Sequence, residues 1–433
     1  MEPAKARRPR TRGGPKGAPH PYNAPVESVH LTLSELRQKA EADLTRNVLP
    51  FWSLRGFNDR GGLVGLLSHD LRLFPDVPQH SVLCARVLWT FAEAELLMPD
   101  ARWRQTAEKA LALLDQRFWD SEAGGVCWSL NPDGTVLSDR KQVYAQAFTI
   151  YGLVSWWKAS GDAAALARAK DLFGLIETHA RDRKKGGYIE ALSRTWGRLD
   201  DMRLSDKDLN APKSYNTMLH VLEAYTVLLR ATDDIQVREA LRSLLLDMLD
   251  HVVSDKPFAH CDLFFDLDWK SLVSKVSYGH DIEASWLFWE AAVAVGDEAL
   301  KARTREVTLD LADAVLAHGV DTDGAVLYEG TATGPSNTEK HWWVQAEAVV
   351  GFLNAWQLGG KVEHRAAALR AWQFIEAHVI DHEKGEWFAI VDRQGKVLPD
   401  YPEHRDSGKI GPWKCPYHNA RAAMEAMRRI PAR

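Results

Sequence analysis

Three histidines and one arginine, each set in otherwise apolar helical text, are the residues of this 433-residue chain best suited to chemistry. They are Arg86 in SVLCARVLWTF, His220 in KSYNTMLHVLEAY, His280 in YGHDIEASWL and His418 in GPWKCPYHNAR. Imidazole titrates nearest neutrality, so two facing histidines can remove and return a proton at pH 7. A guanidinium beside them stabilises an oxyanion as it develops. Asn216 stands one turn before His220, and Glu283 one turn after His280, so each pair shares a helix face. Glu347 follows Trp342 and Trp343, and Trp413 precedes His418. Carboxylates and an amide suit hydroxyl groups, and indole rings suit stacking. Together these residues suit proton transfer at a carbon next to a carbonyl, with no cofactor. A glycine-rich phosphate loop, a nucleophile elbow and a Cys/His metal spacing are all missing. Taken singly, each residue has an ordinary structural reading: a capped histidine at a helix start, a tryptophan in a core, an arginine in a buried ion pair.

Spacing makes them one set. Arg86, Gln146 (with Tyr144), His220, His280, Glu347 and His418 fall at intervals of 60, 74, 60, 67 and 71 residues. A period near 65 means one supersecondary unit used repeatedly. Apolar spacing at i, i+3, i+4 and i+7 predicts helices near 31–49, 77–98, 101–119, 141–159, 162–181, 211–231, 233–254, 278–294, 298–318, 337–357, 360–379 and 413–429. Short breaks such as Ser160-Gly161-Asp162 and Gly296-Asp297 join them in pairs. Longer links carry strand-like text (Gly124–Trp128, Gly186–Glu190, Gly324–Tyr328, Gly385–Phe388), with turns such as Asp133-Gly134 suited to small β-hairpins. The second, fourth and later even helices are apolar nearly all round, as inner helices must be, whereas odd ones such as 163–180 keep a polar face. An all-α (α/α)6 barrel of twelve helices satisfies this pattern, with the candidate residues gathered at one mouth. Tyr144 and Gln146 are left to packing or a minor contact.

Composition narrows the class. Hydrophobic content of 45% and charged content of 26% are ordinary for a globular protein. The first 22 residues carry six Lys/Arg against one Glu, so the remainder is net −10 against a formal total of −5. Residues 1–28 read as a disordered basic tail and 29–433 as one catalytic domain. No basic stripe follows the tail, which argues against nucleic acid. Neither a signal-peptide core nor an apolar run of membrane length is present, so no membrane partner is expected. The four cysteines (Cys84, Cys127, Cys261, Cys415) are far apart and in no CxxC pair, which speaks for a reducing, cytoplasmic setting. A closed ring leaves no sheet edge, and a monomer is expected.

The segments KSYNTMLHVLEAY (213–225), YGHDIEASWL (278–287), KHWWVQAEAVVGFLNA (340–355) and GPWKCPYHNAR (411–421) resemble the cellobiose 2-epimerases, within the N-acylglucosamine 2-epimerase superfamily. The similarity runs from about Asn47 to the C-terminus. The resemblance implies an (α/α)6 barrel and reversible epimerisation at C2 of a reducing-end glucose through a cis-enediolate, as from cellobiose to glucosyl-mannose or lactose to epilactose. It implies His280 and His418 as the two acid/base catalysts, His220 as an aid to ring opening, and Arg86 as the enediolate's stabiliser. Asn216, Glu283 and Glu347 would bind hydroxyls. Trp343 would stack on a sugar ring, Trp413 on the second sugar, with Trp342 beside them. No metal or nucleotide is implied. Met218 departs from the pattern, since many relatives have a histidine there. The charged stretch Pro399–Lys409 is expected to shape the outer sugar subsite.

Three other readings compete. A relative could act on free mannose or glucose, by 2-epimerisation or aldose–ketose isomerisation. An inverting glycoside hydrolase would need two carboxylates about 6.5–9.5 Å apart, for which Glu283 and Glu347 are the candidates. A non-catalytic sugar or protein binder would leave the three histidines without a task.

Overall fold

The computed structural model describes residues 31–400, 402 and 407–432. The basic tail therefore lies outside the described residues. Among the described residues, thirteen α-helical segments form twelve rods. The first rod is α1 (Leu33–Asp43) joined by a π-helical turn, Leu44–Val48, to α2 (Leu49–Arg55). It runs six residues past the predicted end at 49. Then come α3 (Ser81–Leu97), α4 (Ala101–Leu113), α5 (Val143–Ser160), α6 (Ala163–Leu175), α7 (Tyr215–Thr232) and α8 (Ile235–Asp247). The chain finishes with α9 (Tyr278–Val295), α10 (Glu298–His318), α11 (Trp342–Gly359), α12 (Val362–Phe374) and α13 (Tyr417–Arg429).

Odd helices α3 to α13 pack side by side, and α13 returns to α3, which closes the inner ring. Each carries one outer rod: α4 on α3, α6 on α5, α8 on α7, α10 on α9, α12 on α11, and α1 on α13. The all-α (α/α)6 barrel is thus the observed fold. Local sequence explains the pairing. Helices α5, α9 and α11 end in left-handed Gly161, Gly296 and Gly360, a conformation that costs glycine nothing. Asp233 adopts it after α7. Outer helices α4, α6, α8 and α10 start on Asp100, Asp162, Asp234 and Asp297, whose carboxylates accept from free N–H groups of the first turn.

Most inner helices begin two to five residues later than apolar spacing predicts, because the preceding residues are spent on a ring of short antiparallel rungs. Gln79–His80 pairs with Ser129–Leu130, Lys141–Gln142 with Ala191–Leu192, and Lys213–Ser214 with Phe264–Phe265. Val276–Ser277 pairs with Glu329–Gly330, Lys340–His341 with Ile390–Val391, and Leu67 with Ile410. Each rung ties the start of an inner helix to the loop after its outer partner. True hairpins form at 129–138 and 329–337, while Arg181–Tyr188 and Ile380–Trp387 close by single bridges. Fully buried lysines lock the ring. Lys141 reaches Asp120 at 3.1 Å, Lys213 reaches Asp182 at 2.9 Å, and Lys340 reaches Asp321 at 3.4 Å. Lys409 pairs with Asp381 in the same way. A buried charge persists only when paired, so these clips fix the mouth.

Candidate active site

The rungs place the first turns of the inner helices around one cavity of about 250 Å3. Arg86 (α3), Tyr144 (α5), Asn216 and His220 (α7) line one side. His280 and Glu283 (α9), Trp342 and Trp343 (α11), and Trp413 with His418 at α13 line the other. A larger hollow of about 590 Å3 lies outside the ring, between α1–α2 and the end of α12. It contains none of these residues, and the chemistry belongs to the inner cavity.

Two of the three histidines have one ring nitrogen held by a carboxylate. Nδ1 of His220 lies 2.9 Å from Glu223 Oε2, and Nδ1 of His418 lies 2.7 Å from Glu347 Oε1. Nδ1 of His280 is buried without a partner, and its backbone carbonyl accepts from Tyr215 at 2.8 Å. In all three, Nε2 is the nitrogen left for a ligand. His280 and His418 stand on helices either side of α11, both against the Trp343 ring, at 4.9 and 5.7 Å between centroids. Burial holds all three rings neutral: it drives His280 down to about 3 and His418 well below the usual imidazole range. His220 is lowered by burial too, although Glu223 pulls the other way. His280 is half-buried and lines the cavity.

Arg86 is buried, 2% exposed, and has no carboxylate partner among the described residues. Its guanidinium donates to the Tyr144 hydroxyl, approaches Cys415 Sγ at 3.8 Å and stacks over Phe148 at 4.2 Å, leaving Nε without a partner. An unneutralised buried cation at a cavity wall is a site for developing negative charge.

Two placements differ from the sequence expectations. Glu347 is fully buried and does not line the cavity. Its oxygens are taken by His418 Nδ1, Trp286 Nε1 at 3.0 Å and Arg421 Nη2 at 2.6 Å, so it supports His418 rather than a hydroxyl. Of Pro399–Lys409, none of the described residues lines the cavity, and Lys409 is spent on Asp381. The outer wall comes instead from Leu204, Ser205, Lys207 and Asp208. Gln146 is structural: its amide accepts from and donates to the backbone of Val126, both at 2.8 Å.

Sequence reasoning missed the pair beneath the site. Arg421 Nη2 donates at 2.6 Å to both Glu283 and Glu347, and its Nη1 donates to Glu223 and to the Tyr417 oxygen. The signal was available. Each histidine has a charged residue three positions on, Glu223 after His220, Glu283 after His280, Arg421 after His418, and i, i+3 neighbours share a face. Glu283, Glu347 and His418 offer ligand atoms within 4.8 Å of one another. The Arg421 guanidinium fills the place a cation would take. Tyr328 and His341, stacked at 3.7 Å, complete the rim.

A sequence profile described as N-acylglucosamine 2-epimerase (GlcNAc 2-epimerase) matches residues 62–407. The chain belongs to this family. It is 41% identical over 394 residues to cellobiose 2-epimerase of Bacteroides fragilis, covering 90% of this chain and 98% of that protein. Identity to cellobiose 2-epimerase of Ruminococcus albus is 36% over 400 residues, covering 92% and 99%. The solved structure of cellobiose 2-epimerase from Bacillus thermoamylovorans B4167 superposes with a TM-score of 0.85 at 33% identity, covering 91% and 99% of the two chains. This family member is a carbohydrate epimerase, an isomerase acting at C2 of a sugar. Among the described residues, no helix is long and apolar enough to cross a membrane.

Proposed function

We propose that the protein interconverts glucose and mannose at the reducing end of β-1,4 disaccharides by moving a proton at C2, with no cofactor. One neutral histidine of the His280/His418 pair removes the C2 proton, a cis-enediolate forms against Arg86, and the other histidine returns a proton to the opposite face. His220, held by Glu223, accepts the ring hydroxyl proton on opening. Asn216 and Glu283 hold hydroxyls, and Trp343 packs against the reacting sugar. The observation that carries this reading is Arg86, a buried guanidinium without a carboxylate, facing the same cavity as three neutral histidines. Hydrolysis is disfavoured, because Glu283 and Glu347 share one Arg421 nitrogen at 2.6 Å each, too close to straddle a bond and a water at about 6.5–9.5 Å. A disaccharide is supported by a second hollow of about 370 Å3 beyond Trp413, lined also by Trp128 and Arg140. Cytoplasmic location and a monomeric state belong to the same proposal. Incubation with cellobiose tests it: chromatography should show 4-O-glucosyl-mannose, and lactose should give epilactose. No product from folded protein after a day at pH 7–8 removes the reading.

A further inference from the structure

Three buried carboxylates converge on one guanidinium beneath the cavity. Arg421 binds Glu223 of α7, Glu283 of α9 and Glu347 of α11. All four side chains are at most 3% exposed. Fully ionised, the cluster would hold an excess of two negative charges in a water-poor core, a cost relieved when a carboxylate takes a proton. The three acids are not equivalent. Glu223 shares Arg421 Nη1 with no other carboxylate, accepts from Tyr417 at 2.6 Å, and meets His220 at 2.9 Å. Glu283 and Glu347 must share Nη2. Glu347 also meets His418 Nδ1 at 2.7 Å, with Glu283 at 4.0 Å from the same nitrogen.

We propose that Glu283 and Glu347 hold one proton between them in the resting protein, and that Glu347 passes it through the His418 ring. His418 then rests as a neutral ring with hydrogen on Nε2 and its lone pair on Nδ1 facing the carboxylic acid. As Nε2 releases its proton to C2 of the enediolate, Nδ1 takes the proton of Glu347. A C–H bond and an Nδ1–H bond form while an Nε2–H and an O–H bond break. Negative charge moves from the enediolate to the Glu347 carboxylate, where Arg421 Nη2 and Trp286 Nε1 receive it. No imidazolium forms at His418. After product leaves, His280 gives the proton it took from C2 to solvent, Nδ1 of His418 returns its proton to Glu347, and Nε2 takes one from solvent, which restores the resting state.

The surrounding groups fit this device. Burial and the Glu347 charge push Glu283 up to about 8, and burial raises Glu347. Glu223 stays ionised at about 2: burial raises it, but Arg421, His220 and Tyr417 outweigh burial. Arg86 of α3, His220 of α7 and Arg421 all disfavour a second proton on His418. His220 is the contrast: beside an ionised carboxylate it donates Nδ1–H and keeps a bare Nε2. His280 has no partner at Nδ1, so the relay serves one wall of the site only.

This inference rests on the proposed epimerisation, and its test separates the two. Nitrogen NMR of the full-length protein with labelled histidine, assigned with His418→Asn, reads the resting ring without any sugar. At pH 7 a neutral His418 with hydrogen on Nε2 is expected; an imidazolium or the Nδ1–H tautomer overturns the relay. Turnover of cellobiose in mixed light and heavy water should then bow downward in the direction in which His418 donates, because two protons move together. Glu347→Gln keeps the size and a hydrogen bond but has no proton to pass. Its plot should be straight and its kcat lower by about 10²–10⁴-fold, with KM little changed. A straight plot in the unmodified protein overturns the relay, whereas absence of any epimer overturns the proposed function and leaves the NMR result to decide the relay.

Discussion

Replacing Arg421 by methionine isolates the charge balance at the barrel axis. Methionine keeps an unbranched apolar chain against Trp286 and Tyr417, whose rings the guanidinium covers at 4.8 and 4.3 Å, but it leaves three buried carboxylates without their cation. Two estimates of the cost agree. Glu223 sits at about 2 in the folded protein against 4.5 for a free side chain. Converted at about 1.36 kcal/mol per unit, that is about 3 kcal/mol of stability. Breaking a buried ion pair by removing one partner costs about 3–5 kcal/mol, a large share of the roughly 5–15 kcal/mol that holds a domain folded. The sign with pH follows. A depressed carboxylate stabilises above its unfolded value, and that stability is lost as pH falls from about 4.5 toward 2. Without Arg421 the Glu223 value rises, so the variant is penalised most where unfolded carboxylates are ionised. Urea unfolding at pH 8 should show a deficit of about 3–5 kcal/mol, shrinking toward pH 5. A deficit below about 1 kcal/mol, or one equal at both pH values, would refute the reasoning.

Other outcomes are expected from the same geometry. Arg86→Gln should lower kcat by about 10²–10³-fold with little change in KM, since its charge is used only as the enediolate forms; steady-state kinetics on cellobiose reads the split. Trp413→Ala should raise KM for cellobiose far more than for mannose, and equal effects would remove Trp413 from the second sugar. Burial holds His280 near 3, below its free value of 6.5, so the unfolded chain binds a proton that the folded one refuses once pH falls under about 6.5. Stability should therefore decline from pH 6.5 toward 4.5, and His280→Asn should flatten that slope in urea titrations. Glu283, near 8 when folded against 4.5 free, acts oppositely, costing stability as pH rises from 4.5 to 8.

The barrel was legible because its inner helices bury almost every side chain. In α3 and α9 polarity cannot be spared for solvent, so Arg86 and His280 stood out against apolar text. Helix starts were misplaced where strand rungs intervene: Lys141, Lys213 and Lys340 read as the first residues of the helices that follow, although each lies in a rung and is sealed over an aspartate. Glu347 was misassigned for a related reason. Sequence shows that it shares a face with Trp343, but its depth depends on Arg421, which arrives from 74 residues downstream. The rim residues Ser205, Lys207 and Asp208 had no periodicity to flag them. The inter-helix segment 199–210 lies between the rungs at Ala191–Leu192 and Lys213–Ser214 and brings Leu204, Ser205, Lys207 and Asp208 to the cavity.

In the proposed reaction His280 and His418 exchange the C2 proton of a reducing-end sugar. Cellobiose incubated in heavy water and followed by proton NMR tests it most directly. Deuterium is expected at C2 of the glucosyl-mannose formed, with loss of that exchange in folded His280→Asn and His418→Asn. Epimer that keeps its original C2 proton, or deuteration at the unmodified rate in either variant, would contradict it.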